Sequence, residues 1–331
     1  MKHLVHPRRW LPILLPIVFV LFVVKVLTDR LAGIHWVDIQ SAVQALPLGM
    51  LTTSVLMVIC IYTGLSYCEA RIAKYLAGEV SARRAALTAL IAFPIGHVVG
   101  WGAVSGGALR YRIYSQAGMR PLDIGKMILL SSVAYPAGLG LLLGLSFLTQ
   151  PEGAATILNT SADLARGTGI ALIGLHILYL TLVLTRRASI PLGRLVMQLP
   201  TPELTSVQYL TGILDVCLGA AILYVLLPTN IGLSFVVFVG IYGLCIVAGL
   251  ASSIPAGLGV FESVLLLLLP KLPKAQLLAS VIGYRFILEV IPLLIALLLW
   301  ISYEMWWRLP KQRKRALLIN RNYRLFVDDT E

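Results

Sequence analysis

Charged side chains are scarce in this sequence. Asp, Glu, Lys and Arg together make up 13% of the 331 residues, whereas about 25% is usual in a soluble domain. Hydrophobic residues reach 58%, and they are gathered into apolar runs that approach or exceed the roughly 18 residues needed to cross a bilayer. This composition excludes a soluble globular protein. It predicts an all-α polytopic membrane protein, because a helix satisfies its own backbone polar groups in lipid.

Cysteine is also rare, and the motifs of common enzymes are absent. The four cysteines lie in or beside apolar runs without a Cys-x-x-Cys spacing, which argues against disulfides or metal binding and favours a packing role. The sequence has no nucleotide-binding loop, no His-Glu-x-x-His and no Gly-x-Ser-x-Gly, which are the motifs that mark catalytic sites. We therefore expect no enzyme activity, no cofactor and no bound metal.

The net charge of +12 does not indicate a nucleic-acid-binding protein. Of the 27 lysines and arginines, 21 lie in five short clusters between or beside the apolar runs, where membrane topology and anionic lipid headgroups explain them. These clusters are Lys2/Arg8/Arg9, Arg71/Lys74/Arg83/Arg84, Arg110/Arg112/Arg120/Lys126, Arg186/Arg187/Arg194, and Arg308/Lys311/Arg313/Lys314/Arg315/Arg321/Arg324.

The apolar runs predict about eight transmembrane helices and one re-entrant segment at 85–104. The helices are expected at 10–28, 47–66, 124–148, 168–185, 207–227, 233–252, 257–270 and 276–304. If 85–104 enters and returns, all five basic clusters face the cytoplasm, whereas a full crossing places the third cluster outside. Both termini are then cytoplasmic, and 308–331 is a short basic tail on a single integral membrane domain, 1–331. No small-x-small cleavage site follows 10–28, so we interpret it as an uncleaved helix.

Two stretches that combine glycine with charge lie in the two halves of the chain. Residues 105–114 read Ser-Gly-Gly-Ala-Leu-Arg-Tyr-Arg-Ile-Tyr, and residues 253–262 read Ser-Ile-Pro-Ala-Gly-Leu-Gly-Val-Phe-Glu. Glycine and proline free backbone polar groups that lipid cannot satisfy. Interrupted segments in corresponding halves are the best sequence indicator of a transporter-like binding site. We therefore predict that both stretches interrupt their helices, and we leave open whether the halves form an inverted repeat.

In the first stretch, Arg110 and Arg112 flank Tyr111 shortly after Gly106 and Gly107. Two guanidiniums beside an aromatic ring suit bidentate recognition of a phosphate group. We therefore name these five residues as a lipid-headgroup site. The alternative is that the arginines only fix the topology at the cytoplasmic edge, as many do.

In the second stretch, Gly257 and Gly259 precede a short helix that contains Glu262, and its free N–H groups suit an anionic headgroup. Arg285 and Glu289 lie one turn apart in the last span. Ionisable residues within a membrane are functional-site hypotheses by default. We assign Gly257, Gly259, Glu262 and Arg285 to headgroup binding. Two structural alternatives stay open: Arg285 clamps Glu262, or Arg285 and Glu289 neutralise each other.

Further polar residues lie in or near the spans. Asp215 has no obvious partner in 207–227, so we predict that it lines a cavity or relays protons together with Glu289, unless it lies shallow at the interface. Glu69 and Arg71 are interpreted as a solvated surface pair. An aromatic belt is expected at the end of the last span, formed by Trp300, Tyr303, Trp306 and Trp307.

The same stretches resemble those of the lysylphosphatidylglycerol synthase transmembrane-region family. Residues 106–114 resemble its Gly-Gly-x-x-Arg-Tyr-Arg-x-Tyr element, 254–262 resemble its Ile-Pro-x-Gly-x-Gly-Val-x-Glu element, and 284–296 resemble its Tyr-Arg…Pro-Leu-Leu-x-Ala segment. The family includes the membrane half of bacterial multiple peptide resistance proteins, which is associated with moving aminoacylated phosphatidylglycerol between leaflets. It also includes standalone inner-membrane proteins, some of them linked to hopanoid transport. Glu289 departs from the aromatic residue that the family often has there.

The resemblance implies a standalone, multi-pass lipid flippase of the bacterial inner membrane. Its cargo would be a phospholipid such as aminoacylated phosphatidylglycerol, and without the aminoacyltransferase half it would not be a lysyltransferase. Two alternatives remain: a transporter of hopanoids or other lipids, and a non-transporting partner or scaffold of a separate lipid-modifying enzyme. The expected partners are membrane phospholipids, with such an enzyme or a second copy of the chain left open, and no nucleic acid.

Overall fold

The structure is a computed structural model that describes residues 47–77, 80–99, 102–185, 189–192, 195–227, 232–252 and 254–308. The predicted first span at 10–28 and the basic tail beyond residue 308 lie outside these residues. The cytoplasmic placement of both termini therefore stays a prediction.

The described residues are almost entirely helical. In chain order the helices are α1 (Leu48–Ala77), α2 (Ala82–Val99), α3 (Gly102–Ser115), α4 (Pro121–Thr149), α5 (Pro151–Leu158), α6 (Ala162–Thr185), α7 (Pro202–Leu226), α8 (Phe235–Ala251), α9 (Val260–Leu268), α10 (Lys274–Arg285) and α11 (Ile291–Arg308). A short antiparallel hairpin of β1 (Ser189–Leu192) and β2 (Leu195–Gln198) joins α6 to α7. A 3-10 turn (Pro255–Gly257) precedes α9, and one π-helical turn (Phe286–Val290) joins α10 to α11.

Six of the described helical segments are long and apolar enough to cross a membrane. They are α1, α2, α4, α6, α7 and the continuous segment from α10 to α11, while α8 and the segment that contains α9 are shorter apolar helices. This confirms the prediction of an all-α polytopic membrane protein. Five of the six coincide with predicted spans, and the sixth is α2, which the sequence assigned to the re-entrant segment.

Proline and capping residues set where two of the long helices begin. Pro121 and Pro202 occupy the first turns of α4 and α7, where a missing N–H removes no helical hydrogen bond. The Thr201 side chain accepts a hydrogen bond from the Leu204 N–H at 3.3 Å, so the N-terminus of α7 is capped. As a result, both helices begin earlier than the predicted spans at 124–148 and 207–227.

Helices α2 and α3 form a hairpin around the predicted re-entrant segment. A Cβ on Gly106 of α3 would lie 2.9 Å from the carbonyl oxygen of Ala92 in α2, and one on Gly107 would lie 3.2 Å from Cδ1 of Ile128 in α4. Helices α2 and α3 pack side by side, and 102–115 is continuous helix. The predicted interruption at Gly106 and Gly107 is therefore wrong. These glycines serve close helix packing, which small residues permit in membranes.

Glycines allow the backbones of α4 and α7 to approach each other closely. A Cβ on Gly212 would overlap the carbonyl group of Ala134, and a Cβ on Gly138 would overlap the backbone of Gly212. Because lipid gives no hydrophobic drive for helices to associate, such backbone approach supplies the van der Waals contact that holds them together. Helix α6 exposes a face of leucine and isoleucine side chains, as a lipid-facing helix does.

Candidate functional site

A buried network surrounds the Glu69 carboxylate where α1, α3 and α4 meet. Arg110 donates from Nε to Oε1 at 2.8 Å and from Nη2 to Oε2 at 2.9 Å. The hydroxyls of Tyr114 and Ser131 donate to the same carboxylate at 3.1 and 3.0 Å. The guanidinium also lies over the Phe93 ring, 4.5 Å from its centroid. With four donors the buried carboxylate is well satisfied, so this network ties three helices together.

The Glu69 network corrects one expectation from the sequence. Glu69 is fully buried and pairs with Arg110, while Arg71 pairs with Glu203 on α7. The interpretation of Glu69 and Arg71 as a solvated surface pair is therefore wrong. The sequence could not reveal the partner, because Glu69 and Arg110 are 41 residues apart and meet only through helix packing.

The two arginines of the first stretch point to different sides of α3. Successive residues on a helix are about 100° apart, so Arg110 faces the Glu69 network while Arg112 faces α11. Tyr111 lies between them with half of its surface exposed. The structure therefore does not bring the two guanidiniums together around Tyr111. Arg110 is buried and bonded, and Arg112 is the arginine of this stretch that remains partly accessible.

Arg112 is bonded to a nearly buried carboxylate of α11. It donates from Nε and Nη2 to the two oxygens of Glu304 at 2.8 and 3.0 Å. The Arg112 side chain is 47% exposed, whereas that of Glu304 is 3% exposed. The Gln116 amide nitrogen donates to the Tyr303 hydroxyl at 2.7 Å, and the amide oxygen accepts from Arg112 at 3.1 Å. The Tyr303 ring stacks on Trp307. The acid partner Glu304 was not singled out from the sequence.

The second stretch is interrupted as predicted. Ala256, Gly257 and Gly259 all have positive φ angles, of 53°, 59° and 81°, and such angles are routine only for glycine. Gly257 also lies against Gly249 of α8, where a Cβ would come within 2.9 Å of the Gly249 Cα. The helix is therefore interrupted because glycines at these positions permit positive φ angles and a close approach to α8. It places the beginning of α9 directly beside α8.

Glu262 links this interruption to the last span. Its Oε2 accepts from the Gly259 N–H at 2.7 Å, which caps α9. Its Oε1 accepts from Arg285 Nε at 2.5 Å. Both Glu289 oxygens accept from Arg285 Nη1 at 2.9 Å, and the carbonyl of Ala256 accepts from the same nitrogen at 3.1 Å. The two alternatives left open by the sequence therefore occur together: one guanidinium holds both carboxylates.

A small cavity lies where α2 meets the second stretch. Helix α2 touches the turn at Pro255–Gly257, and the cavity between them measures about 20 Å³. It is lined by Val98, Ala256, Leu258, Arg285, Glu289, Val290 and Leu293. This volume suits a water molecule and is far below the roughly 300 Å³ of a small-molecule pocket. The interruption is therefore closed in this conformation.

Asp215 lies midway along α7 and is partly buried. It forms no salt bridge with any described residue. The phenols of Tyr62, Tyr135 and Tyr242 lie within electrostatic range of both Asp215 and Glu289. The two predicted relay carboxylates thus share the same three tyrosines as electrostatic neighbours. A hydrogen bond of 2.7 Å extends this set from Tyr242 to Tyr284.

No group of three His, Cys, Asp or Glu side chains in the described residues is arranged to hold a metal ion. His176 in α6 instead shares a hydrogen bond of 2.7 Å with the Tyr209 hydroxyl of α7. Trp300 is buried in the core formed with α2, so it does not belong to the predicted aromatic belt, whereas Trp306 and Trp307 are partly exposed.

The chain is similar to several bacterial proteins, although no protein-family model matches it. It is 32% identical over 224 residues to the uncharacterized protein slr0712 of Synechocystis sp., which covers 66% of this chain and 68% of that protein. It is 27% identical over 308 residues to the inner membrane protein YbhN of Escherichia coli, and this match covers 90% of this chain and 94% of YbhN.

A shorter match connects the chain to a lipid-modifying enzyme. It is 39% identical over 84 residues to phosphatidylglycerol lysyltransferase of Staphylococcus epidermidis, and these residues are 24% of this chain and 10% of that protein. The chain therefore belongs to the membrane-protein family of slr0712, which is related to YbhN and to a region of phosphatidylglycerol lysyltransferase.

Proposed function

We propose that this protein moves phospholipid between the leaflets of the bacterial inner membrane. The observation that carries this proposal is the ion cluster of Glu262, Arg285 and Glu289 at the interrupted helix. Charges inside a bilayer cost several kcal/mol each unless they are paired or face a water-filled path. Discontinuous helices whose ends face polar groups are the usual architecture of secondary transporter sites.

The charge of this cluster suits a particular class of headgroup. Two carboxylates share one guanidinium, so the cluster carries an excess of one negative charge when both acids are ionised. A cationic group on a lipid would complement that excess. Aminoacylated phosphatidylglycerol carries such a group beside its phosphate, which is consistent with the similarity to a phosphatidylglycerol lysyltransferase.

Transport requires a conformation other than the one described. The cavity of about 20 Å³ cannot admit a headgroup. Because Arg285 bridges Glu262 on α9 to Glu289 on the π-helical turn, opening the cavity means separating α9 from the last span. We infer that the Arg285–Glu262 bond breaks during each transport cycle, and that the headgroup takes over one of the two partners.

The proposal is tested by lipid translocation in proteoliposomes. Headgroup-labelled phosphatidylglycerol and lysyl-phosphatidylglycerol are followed by quencher accessibility, with wild type compared with Glu262→Gln and Glu289→Gln. We expect both variants to lose at least about tenfold in rate, since an interaction with a charged group contributes about 1.5–3 kcal/mol. Glu203→Gln is the matched control, because its exposed carboxylate pairs only with Arg71 at the surface.

One result of this experiment would contradict the transport proposal. Wild-type protein that moves neither lipid faster than empty vesicles would overturn the proposal for these cargos. It would favour either another lipid, such as a hopanoid, or a non-transporting partner of a separate lipid-modifying enzyme. If Glu203→Gln lost as much rate as Glu262→Gln, the loss would reflect general instability and the ion cluster would not be the transport site.

A further inference from the structure

We propose that Asp215 carries a proton which it exchanges for the cationic group of the transported lipid, so that a proton gradient drives lipid movement. The carboxyl group is neutralised by one partner at a time: it holds a proton when the site is empty, and it pairs with an ammonium group when a headgroup is bound. This inference rests on the transport function proposed above, since it names the cargo class and the driving ion of that site.

Asp215 lies deep within the bundle of membrane-spanning helices. It is 13 residues from the start of α7 and 11 residues from its end, which is about 20 and 17 Å at 1.5 Å per residue. Helix α7 packs against α1, α4, α6, α8 and α10. The carboxyl group is therefore close to the middle of a hydrocarbon core about 30 Å thick, yet its side chain keeps a part of its surface accessible.

The carboxyl group of Asp215 lacks the partners that neighbouring acids have. Glu69 is held by a bidentate arginine, and one guanidinium holds Glu262 and Glu289. Asp215 forms neither a hydrogen bond nor a salt bridge with any described residue, and no cationic side chain in that part of the chain is close enough to offset its charge. A carboxylate without a counter-ion is costly in a low dielectric and takes up a proton instead.

Helix contacts place two phenol groups at the level of Asp215. A Cβ on Gly64 of α1 would lie 3.1 Å from the side chain that precedes Asp215 in the sequence, and Tyr62 is two residues from Gly64. A Cβ on Gly219, one turn after Asp215, would lie 2.6 Å from the Tyr242 hydroxyl of α8. Tyrosines from two helices therefore flank this acid on α7.

Among the described residues, the titratable groups that face Asp215 are phenols. They are Tyr62 of α1, Tyr135 of α4 and Tyr242 of α8. Glu289 lies in electrostatic range of the same three phenols, and Arg285 pairs with it. On α6, His176 is bonded to Tyr209, six residues before Asp215. A neutral phenol can pass on a proton, because its hydroxyl both donates and accepts, but it supplies no positive charge.

The phenols connect Asp215 to the ion cluster of the last span. The hydroxyl of Tyr242 shares a hydrogen bond of 2.7 Å with that of Tyr284. Tyr284 directly precedes Arg285, whose Nη1 donates to Glu289 at 2.9 Å. When an ammonium group enters beside Glu289, this row of hydroxyls lets the proton of Asp215 leave, and the resulting carboxylate pairs with the cation.

The coupling follows from the charge of the site. With Asp215 protonated, the two ionised glutamates and one guanidinium of the ion cluster leave one negative charge in excess. With Asp215 ionised and one ammonium group bound, the excess is again one. A proton and a cationic headgroup are therefore equivalent in charge and exclude each other at Asp215. Each proton that crosses in one direction returns one lipid in the other.

The first test measures the protons released when lipid binds. The full chain in detergent micelles is mixed with lysyl-phosphatidylglycerol in weakly buffered solution at neutral pH, with a pH-sensitive dye as the readout. We expect about one proton released per bound lipid, because a single carboxyl group gives up its proton. Phosphatidylglycerol, which has no ammonium group, should release none. Asp215→Asn should abolish the release, whereas Asp163→Asn, at a carboxylate exposed on the surface, should leave it unchanged.

The second test applies a gradient of one pH unit to proteoliposomes at zero membrane potential. Exchange of one proton for one lipid should enrich lysyl-phosphatidylglycerol about tenfold in the leaflet on the acidic side, since one pH unit is a tenfold ratio of protons. Protein-free vesicles give the passive distribution, and Asp215→Asn should match it. In unfolding, Asp215→Asn should be at least as stable as wild type, because it removes an unpaired acid and keeps its shape.

Three outcomes would overturn proton exchange at Asp215. One is that wild type releases no protons with lysyl-phosphatidylglycerol, and another is that Asp215→Asn releases as many as wild type. The third is that wild type moves the lipid at a rate and to a distribution that the pH gradient does not change, which would leave the transport function standing. Proton release without translocation would support the exchange and contradict only the transport function.

Discussion

The buried pair of Glu69 and Arg110 allows a quantitative prediction about stability. Arg110→Met keeps the length of the side chain but removes two charge-assisted hydrogen bonds of 2.8 and 2.9 Å. Glu69 would keep the hydroxyls of Tyr114 and Ser131 but would remain as a buried carboxylate without a counter-ion. Breaking a buried ion pair from one side costs about 3–5 kcal/mol. We expect the free energy of unfolding to fall by that amount.

Removing both charges should cost less than removing one. In the double variant Glu69→Gln with Arg110→Met, the amide oxygen still accepts from a neighbouring hydroxyl and no charge is left unpaired. The desolvation penalty of a buried pair offsets most of its Coulombic attraction. We therefore expect the double variant to recover a large part of the loss, with a coupling energy of about 2 kcal/mol between the two sites.

The assay is reversible unfolding in mixed detergent micelles, followed by tryptophan fluorescence and by labelling of the Cys68 thiol. Cys68 is buried beside Glu69 in α1, so its labelling rate reports opening at this network. Arg71→Met is the surface control, and it should cost under about 1 kcal/mol. A loss in Arg110→Met no larger than in Arg71→Met would refute the reasoning, as would a double variant whose loss equals the sum of the single losses.

Two further predictions concern backbone geometry. Gly212→Val should prevent folding or strongly reduce stability, because even a Cβ there would overlap the Ala134 carbonyl. The control Gly174→Val should be tolerated in the same unfolding assay, because its Cβ would meet open space on α6. Equal losses of stability in the two variants would contradict the α4–α7 contact. The φ angle of Ala256 is 53°, a left-handed conformation that strains any side chain and that glycine adopts without strain. The Ala256→Val variant should therefore be about 1–2 kcal/mol less stable than the Ala256→Gly variant. Equal stability of the two variants would show that this conformation is not maintained in the membrane.

Helix α3 gives its two arginines separate tasks. Arg110 points into the bundle and fixes the hairpin to α1 and α4, while Arg112 points to α11 and keeps half of its surface accessible. The motif Arg-Tyr-Arg thus combines a buried arginine with a half-exposed one. Because the two arginines have different surroundings, the stability of a variant at either position must be measured beside its transport.

The class of the protein followed from its sequence. Low charge and recurring apolar runs leave no soluble fold, and five of the six long helices lie where spans were predicted. The interruption at Pro255–Gly257 was also predictable, since proline and glycine act on the local backbone. The starts of α4 and α7 could have been read more accurately from Pro121, Thr201 and Pro202, which are local capping signals.

The tertiary structure decided which charged residues meet. Glu69 and Glu304 stand far from Arg110 and Arg112 in the chain, and only the packing of α1 and α11 against α3 makes them partners. The same holds for Gly106, whose role in close packing depends on the return of α2 beside it. A local sequence pattern determines the backbone conformation and the apolar character of one helix, because both depend on residues that are neighbours along the chain. Pairing of charges depends on the arrangement of whole helices, which the composition of any single helix leaves undetermined.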